Sequence, residues 1–220
     1  MSAATLCRLS GLALLIGGLF GVAGLLIHPP GHELAQHVSP TWVPAHGLIL
    51  LGWLLVIVGL PGLYARQAPR AGRIGLLAIV VTLVAAALRV AVMVYEIFVV
   101  AVLAADPTLQ ALTGSQGVLE RGPMGLLLAV VLFASGASYI LLGLTTMRAA
   151  LLPRRSGLLL VMAGVPLLGA PVFLLLAPLG FGLASLALGW LGYALFRDMS
   201  IAPARTGASL RRSELAPGAA

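Results

Sequence analysis

Apolar runs long enough to cross a bilayer dominate this chain and leave it few possible folds. LSGLALLIGGLFGVAGLLI and AHGLILLGWLLVIVGLPGLY are two of them. In hydrocarbon every backbone N–H and C=O must be bonded within its own segment, so each crossing is a helix of about 20 such residues. Six segments qualify: 9–27, 45–64, 74–104, 123–147, 157–175 and 178–196. The last two are separated only by a short turn near Ala177 and Pro178, which suits a tight helical hairpin. The expected fold class is all-α, a polytopic membrane protein with six transmembrane helices in one bundle over residues 1–198. Composition agrees, because the chain is 60% hydrophobic and 9% charged, whereas a soluble domain carries about 25% charged residues.

Several function classes fall away on residue inventory. The net charge of +7 suggests nucleic acid at first, but the arginines flank apolar runs and form no stripe, so no nucleic-acid partner is expected. The 13 basic residues are all arginine. Without lysine there is no Schiff base to retinal or pyridoxal phosphate, and no Walker A loop. One cysteine, Cys7, rules out an intrachain disulfide, a four-thiolate cluster and a CxxCH haem attachment. Leu6 before it disfavours a lipoprotein cleavage site. The run after Arg8 is long and closes on no A-x-A site, so it reads as an uncleaved anchor.

Arginine placement sets the orientation, since short loops rich in Arg stay cytoplasmic. Setting aside Arg89 inside the third span and Arg121 on the far side leaves 11 of the 13 arginines on one side. Both termini are expected inside and the histidine loop outside, toward the periplasm or cell exterior. Tyr64, Tyr193, Phe196 and Trp42 suit interfacial aromatic belts. Pro166 and Pro171 are expected to kink the fifth span. The Pro/Gly/Ala/Arg-rich tail, 199–220, is expected to be disordered and cytoplasmic. Gly17 and Gly21, Gly136 and Gly143, and Gly157 and Gly164 are spaced for close helix packing, within the bundle or in an oligomer.

VGLPGLYARQAPR, from 58 to 70, aligns without gaps with LGLTTMRAALLPR, from 142 to 154. Both leave a span on the arginine-rich side. The span pattern, with YILLGLTTMRAALLPRRSGLLLVMAG joining the fourth span to the fifth, resembles a broad group of small bacterial integral membrane proteins of unknown function. The resemblance implies a helical bundle of the inner membrane and brings no activity or catalytic residue.

Chemistry concentrates in two places. All four histidines, His28, His32, His37 and His46, lie in HPPGHELAQHVSPTWVPAH. HELAQH resembles the zinc-protease pattern HExxH but has one residue too many, which puts His32 and His37 about 140° apart on a helix. His28 and His32 are separated by Pro29-Pro30-Gly31, which no helix carries through. His46 differs, because Ser39, Thr41 and Pro44 mark the start of the second span and place it in or just after the first turn. The third span carries Arg89 and Glu96 in AALRVAVMVYEIF. Ionisable groups at such depth face the interior, pair with one another and mark function. Seven residues are nearly two turns, so Thr82, Arg89 and Glu96 share one face, with about 10.5 Å of rise between Arg89 and Glu96. A buried ion pair that fixes packing is the competing reading.

At one depth, His46, Arg89, Tyr95 and Glu96 define an expected outward-facing pocket with the loop histidines as a lid. Trp53 and Tyr139 lie in its wall or in the core. The pocket is expected to bind a small molecule, lipid or ion. Two alternatives stay open: a membrane-embedded hydrolase using His46 and Glu96, or a metal held by His28, His32 and His46; and a structural or regulatory subunit. No cofactor is expected; zinc, copper, or haem between His28 and His46 would be the exceptions.

Overall fold

A computed structural model describes residues 2–198 apart from Ser115, and the tail expected at 199–220 lies outside the described residues. The fold is all-helical, with no strand among the described residues. Its elements are α1 (Ala3–Ile27), α2 (Leu34–His37), α3 (Trp42–Tyr95), a π-helical turn (Glu96–Val100), α4 (Ala101–Ala105), a 3-10 turn (Gln110–Leu112), α5 (Val118–Arg121), α6 (Pro123–Ala149), α7 (Arg154–Gly169) and α8 (Leu176–Arg197). Four continuous stretches are long and apolar enough to cross a membrane: Ala3–Ile27, Trp42–Ala105, Pro123–Ala149 and Leu176–Arg197.

The second of these stretches is a hairpin. Drawn straight, the 54 residues of α3 would extend roughly 80 Å, yet the indole N–H of Trp42 donates to the carbonyl of Glu96 at 3.1 Å. The reversal sits at Gly72, whose φ of 55° and ψ of −146° interrupt the helix. Only a residue without Cβ takes that conformation at small cost. The expectation of a loop over 66–73 is therefore corrected: residues 65–71 continue the helix past the expected end at 64, and one glycine makes the turn. Pro61 and Pro69 are carried inside it.

The fifth segment also differs from expectation. α7 ends at Gly169, six residues before the expected end at 175, and at 16 residues it rises only about 24 Å. Pro166 lies inside the helix and Pro171 lies beyond its end, in the turn that leads to Leu176. Proline has no N–H to continue the ladder, so the turn forms there and not at Ala177. Pro178 falls instead in the first turn of α8, where a missing N–H costs nothing.

Close backbone approach builds the bundle. α1 packs on α3 and α8, α3 on α6, α6 on α7, and α7 on α8, so the helices close into a ring. A Cβ on Gly17 would meet the Gly52 carbonyl at 2.8 Å, and one on Gly136 would meet the Gly164 carbonyl at 2.9 Å. Gly143 and Gly157 face each other in the same way. Cys7 is buried and its thiol donates to the Gly62 carbonyl at 3.6 Å.

The two ends of the ring differ in chemistry. At one end Arg66 pairs with Asp198 at 2.6 Å, Arg70 donates to the Ala149 carbonyl at 3.4 Å, and Arg8 lies over Phe196. Gln67 donates to Thr146 at 3.2 Å, so the two similar segments around 58–70 and 142–154 lie side by side. At the opposite end the 28–41 segment meets the 106–122 loop, with Gly114 packed beside the backbone of Leu34.

Candidate functional site

Four histidine rings and one indole come together at the end opposite the Arg66–Asp198 pair. Trp42 is the hub. Its ring centroid lies 4.5 Å from His37, 4.3 Å from His46, 5.4 Å from His28 and 5.5 Å from His32. Trp42 is fully buried, which corrects its expected place in a lipid-facing aromatic belt. The first turn of α3 presents Trp42 and His46 four residues apart on one side, and the short α2 returns His37 against them. Glu33 and Gln36 cap α2 reciprocally, each side chain accepting from the other residue's backbone N–H.

The ring nitrogens have assigned roles where a carbonyl is the partner, because a carbonyl only accepts. His46 Nδ1 lies 2.8 Å from the Trp42 carbonyl and His28 Nδ1 lies 2.6 Å from the Pro29 carbonyl. Each Nδ1 therefore donates, and each Nε2 keeps its lone pair. Burial holds the loop histidines below the ordinary imidazole range. His28 is lowered by burial against a raising contribution from its Pro29 bond, with Arg89 lowering it further. His32 is lowered to about 4 by burial, then by its neighbours His28, His37 and Arg89. His37 is lowered by burial, partly offset by Glu33.

Beneath these rings lies a cavity of about 450 Å³, within the range of small-molecule sites. His28, His32 and Glu33 line its histidine-bearing end, and His46, Arg89 and Glu96 line it from α3 and the π turn. Its apolar walls come from Leu25, Ile49, Val92, Met93, Leu128, Leu132 and Phe181. Three of the four residues expected to share a pocket, His46, Arg89 and Glu96, line this cavity. Tyr95, the fourth, is not part of this lining.

Arg89 and Glu96 both line the cavity, and no ion pair between these two is found among the described residues. The Arg89 guanidinium lies 3.9 Å from the centroid of Phe181, a cation–π arrangement. Nε of Arg89 is buried and has no hydrogen-bond partner. Thr82, on the same face, turns its hydroxyl to the Ala78 carbonyl of its own helix at 2.7 Å. Phe181 in turn meets Trp53 edge-on at 6.0 Å, and Trp53 stacks on Tyr139 at 6.2 Å and 12°. Trp53 and Tyr139 belong to the core beneath the cavity and not to its wall.

Phe181 was missed by sequence reasoning. FGLASLALGW is one apolar run among six, and nothing in its spacing says which aromatic meets the buried cation of another helix. The π turn was missed as well. It begins at Glu96, whose carbonyl receives the Trp42 indole, and such turns recur at functional sites because they shift side chains out of helical register.

Proximity alone does not make a metal centre. The His28 ring lies 4.7 Å from His46 and 5.7 Å from His32, but no group of three or more His, Cys, Asp or Glu among the described residues is placed to hold a metal ion. At 4.7 Å the His28 and His46 rings also leave no room for a porphyrin plane between them. Compared with known proteins, the chain matches no family model, no curated protein and no solved structure.

Proposed function

We propose that this protein is a six-span bacterial inner-membrane bundle that binds a small molecule or lipid in a pocket opening to the outer face. Crossings are counted as α1, the two arms of α3 on either side of Gly72, α6, α7 and α8, with the short α7 completed by the turn after Gly169. The arginine-bearing end then lies in the cytoplasm with both termini, following the positive-inside rule, and the histidine cluster faces out.

One observation carries the binding reading. A cavity of about 450 Å³ joins largely apolar walls to a convergent polar group, His46, Arg89 and Glu96, inside segments where charge is expensive. A packing role alone would leave such a pair in contact and the space between helices filled.

A diazirine-bearing acyl probe tests this reading in purified protein. Crosslinks are expected on Val92, Met93 and Leu132, reduced by excess unlabelled acyl amphiphile and by Leu128→Trp, which narrows the cavity. Labelling spread evenly over the lipid-facing side chains, unchanged by competitor, would refute it.

A further inference from the structure

The wall of the cavity carries one cation among the described residues, Arg89, and two carboxylate side chains, Glu33 and Glu96. Along the second arm of α3 and into the π turn, Glu96 lies about 10.5 Å beyond Arg89 toward the histidine-bearing end. The sequence of polarity from inside outward is therefore cation, then carboxylate, then the loop with Glu33. His28 and His46 add lone pairs, not donors, at their Nε2 atoms. Beside and below Arg89 the wall is apolar, with Phe181, Met93 and Leu132.

Two features distinguish Arg89 from a structural arginine. Its Nε is buried without a partner, and its charge rests on an aromatic face rather than a carboxylate. Buried polar groups are nearly always hydrogen-bonded, so an unanswered Nε on a guanidinium that lines a cavity calls for an explanation, and a ligand acceptor that engages the guanidinium from the cavity supplies one. A ligand that offered only an anion would meet Glu96 and Glu33 nearby. A ligand that offered only a cation would leave Arg89 unanswered. Both demands are met by one head group that carries an anionic oxygen and, a few bonds away, an N–H cation.

Building on the pocket proposed above, we infer that its ligand is a zwitterionic single- or double-chain amphiphile. The anionic group, a phosphate or carboxylate, accepts from Arg89. The ammonium donates toward Glu96 and the Nε2 atoms of His28 and His46. The hydrocarbon chain lies along Phe181, Met93 and Leu132.

The test uses wild-type protein in a maltoside detergent, with occupancy read by native mass spectrometry. Single-chain amphiphiles of one chain length are titrated: a lysophosphatidylethanolamine, a lysophosphatidylglycerol and a primary alkylammonium, which keeps the N–H donors. Phosphoethanolamine without a chain is the fourth probe. The zwitterion is expected to bind about tenfold or more tightly than either singly charged form, the margin of one charge-assisted hydrogen bond, and the free head group to bind far more weakly. Arg89→Gln is expected to remove the preference over the cation, and Glu96→Gln the preference over the anion.

Equal binding of the three amphiphiles would overturn the head-group assignment while leaving the pocket reading intact. Tighter binding of the anion would do the same. Binding of phosphoethanolamine as strong as that of its acylated form would overturn the amphiphile. No competable binding of any probe would remove the pocket reading together with this one. The wild-type comparison needs no variant to fold, so a misfolded Arg89→Gln protein leaves the test decisive.

Discussion

At the scale of single residues, the loop histidines make their end of the molecule sensitive to acid. Each is held neutral by burial, so its folded value lies below the unfolded value near 6.5, with His32 near 4. Between those values the unfolded chain binds protons that the folded chain does not, and stability falls as pH drops. Thermal midpoints are expected to be level above about pH 7 and to decline from about pH 6.5 toward 4, as the unfolding free energy falls by at most about 1.4 kcal/mol per pH unit for each histidine. His32→Gln should flatten that decline. A midpoint that rises on acidification would contradict the burial described for these rings. Arg89 permits a sharper test. Phe181→Leu should lower stability by about 1–2 kcal/mol through loss of the cation–π contact, and a double-mutant cycle with Arg89→Met should show coupling. The cycle of Arg89→Met with Glu96→Met should show less, since no ion pair joins those two side chains. Simple additivity for Arg89 and Phe181 would leave the buried charge without its observed support.

Among elements, the hairpin within α3 depends on a single backbone position. Gly72→Ala places a Cβ in a conformation that L-residues avoid, so it is expected to cost about 1–3 kcal/mol of stability even though no neighbour lies within 4 Å of that Cβ. The signature is strain without a clash: a lowered melting midpoint with an unchanged helical spectrum. No change at all would mean that the reversal takes another form. The α6 and α7 pair presents the opposite case, in which the backbone is ordinary and the space is short. Gly143→Val should push these helices apart because the facing backbone at Gly157 cannot yield, and Ala, the smallest addition, should do least harm.

For the whole molecule, the arrangement predicts a topology. Gln36 sits on α2 beside the histidine cluster, at the end opposite the Arg66–Asp198 pair. A cysteine at Gln36 in a Cys7→Ser background should react with an impermeant thiol reagent added outside intact cells. Labelling only after the cytoplasmic face is opened would invert the proposed orientation. Cys7 itself should resist the reagent in the folded protein from either side, because its thiol is buried against the Gly62 carbonyl.

Bilayer physics made the helices legible from residue types alone. Apolar runs near the length of a crossing, and the glycines and arginines that punctuate them, determined an all-helical protein, with Arg8, Arg66 and Arg70 at one end. The depth argument that joined His46 to Arg89 and Glu96 was legible too, because a helical repeat sets which residues share a face whatever lies opposite. Beyond one helix that logic stops. Whether Arg89 meets Glu96 or Phe181 is set by which helix closes the ring beside it, and α8 supplies Phe181 from 92 positions further along the chain. The turn at Gly72, the early end of α7 and the π turn at Glu96 are likewise local conformations chosen by what the helix ends must reach. Trp42 illustrates the limit. By sequence it was an aromatic at a membrane boundary, and only the fold of 28–41 back over α3 buried it among four histidines. Periodicity reports the direction in which a side chain points, and tertiary packing alone decides what it meets there.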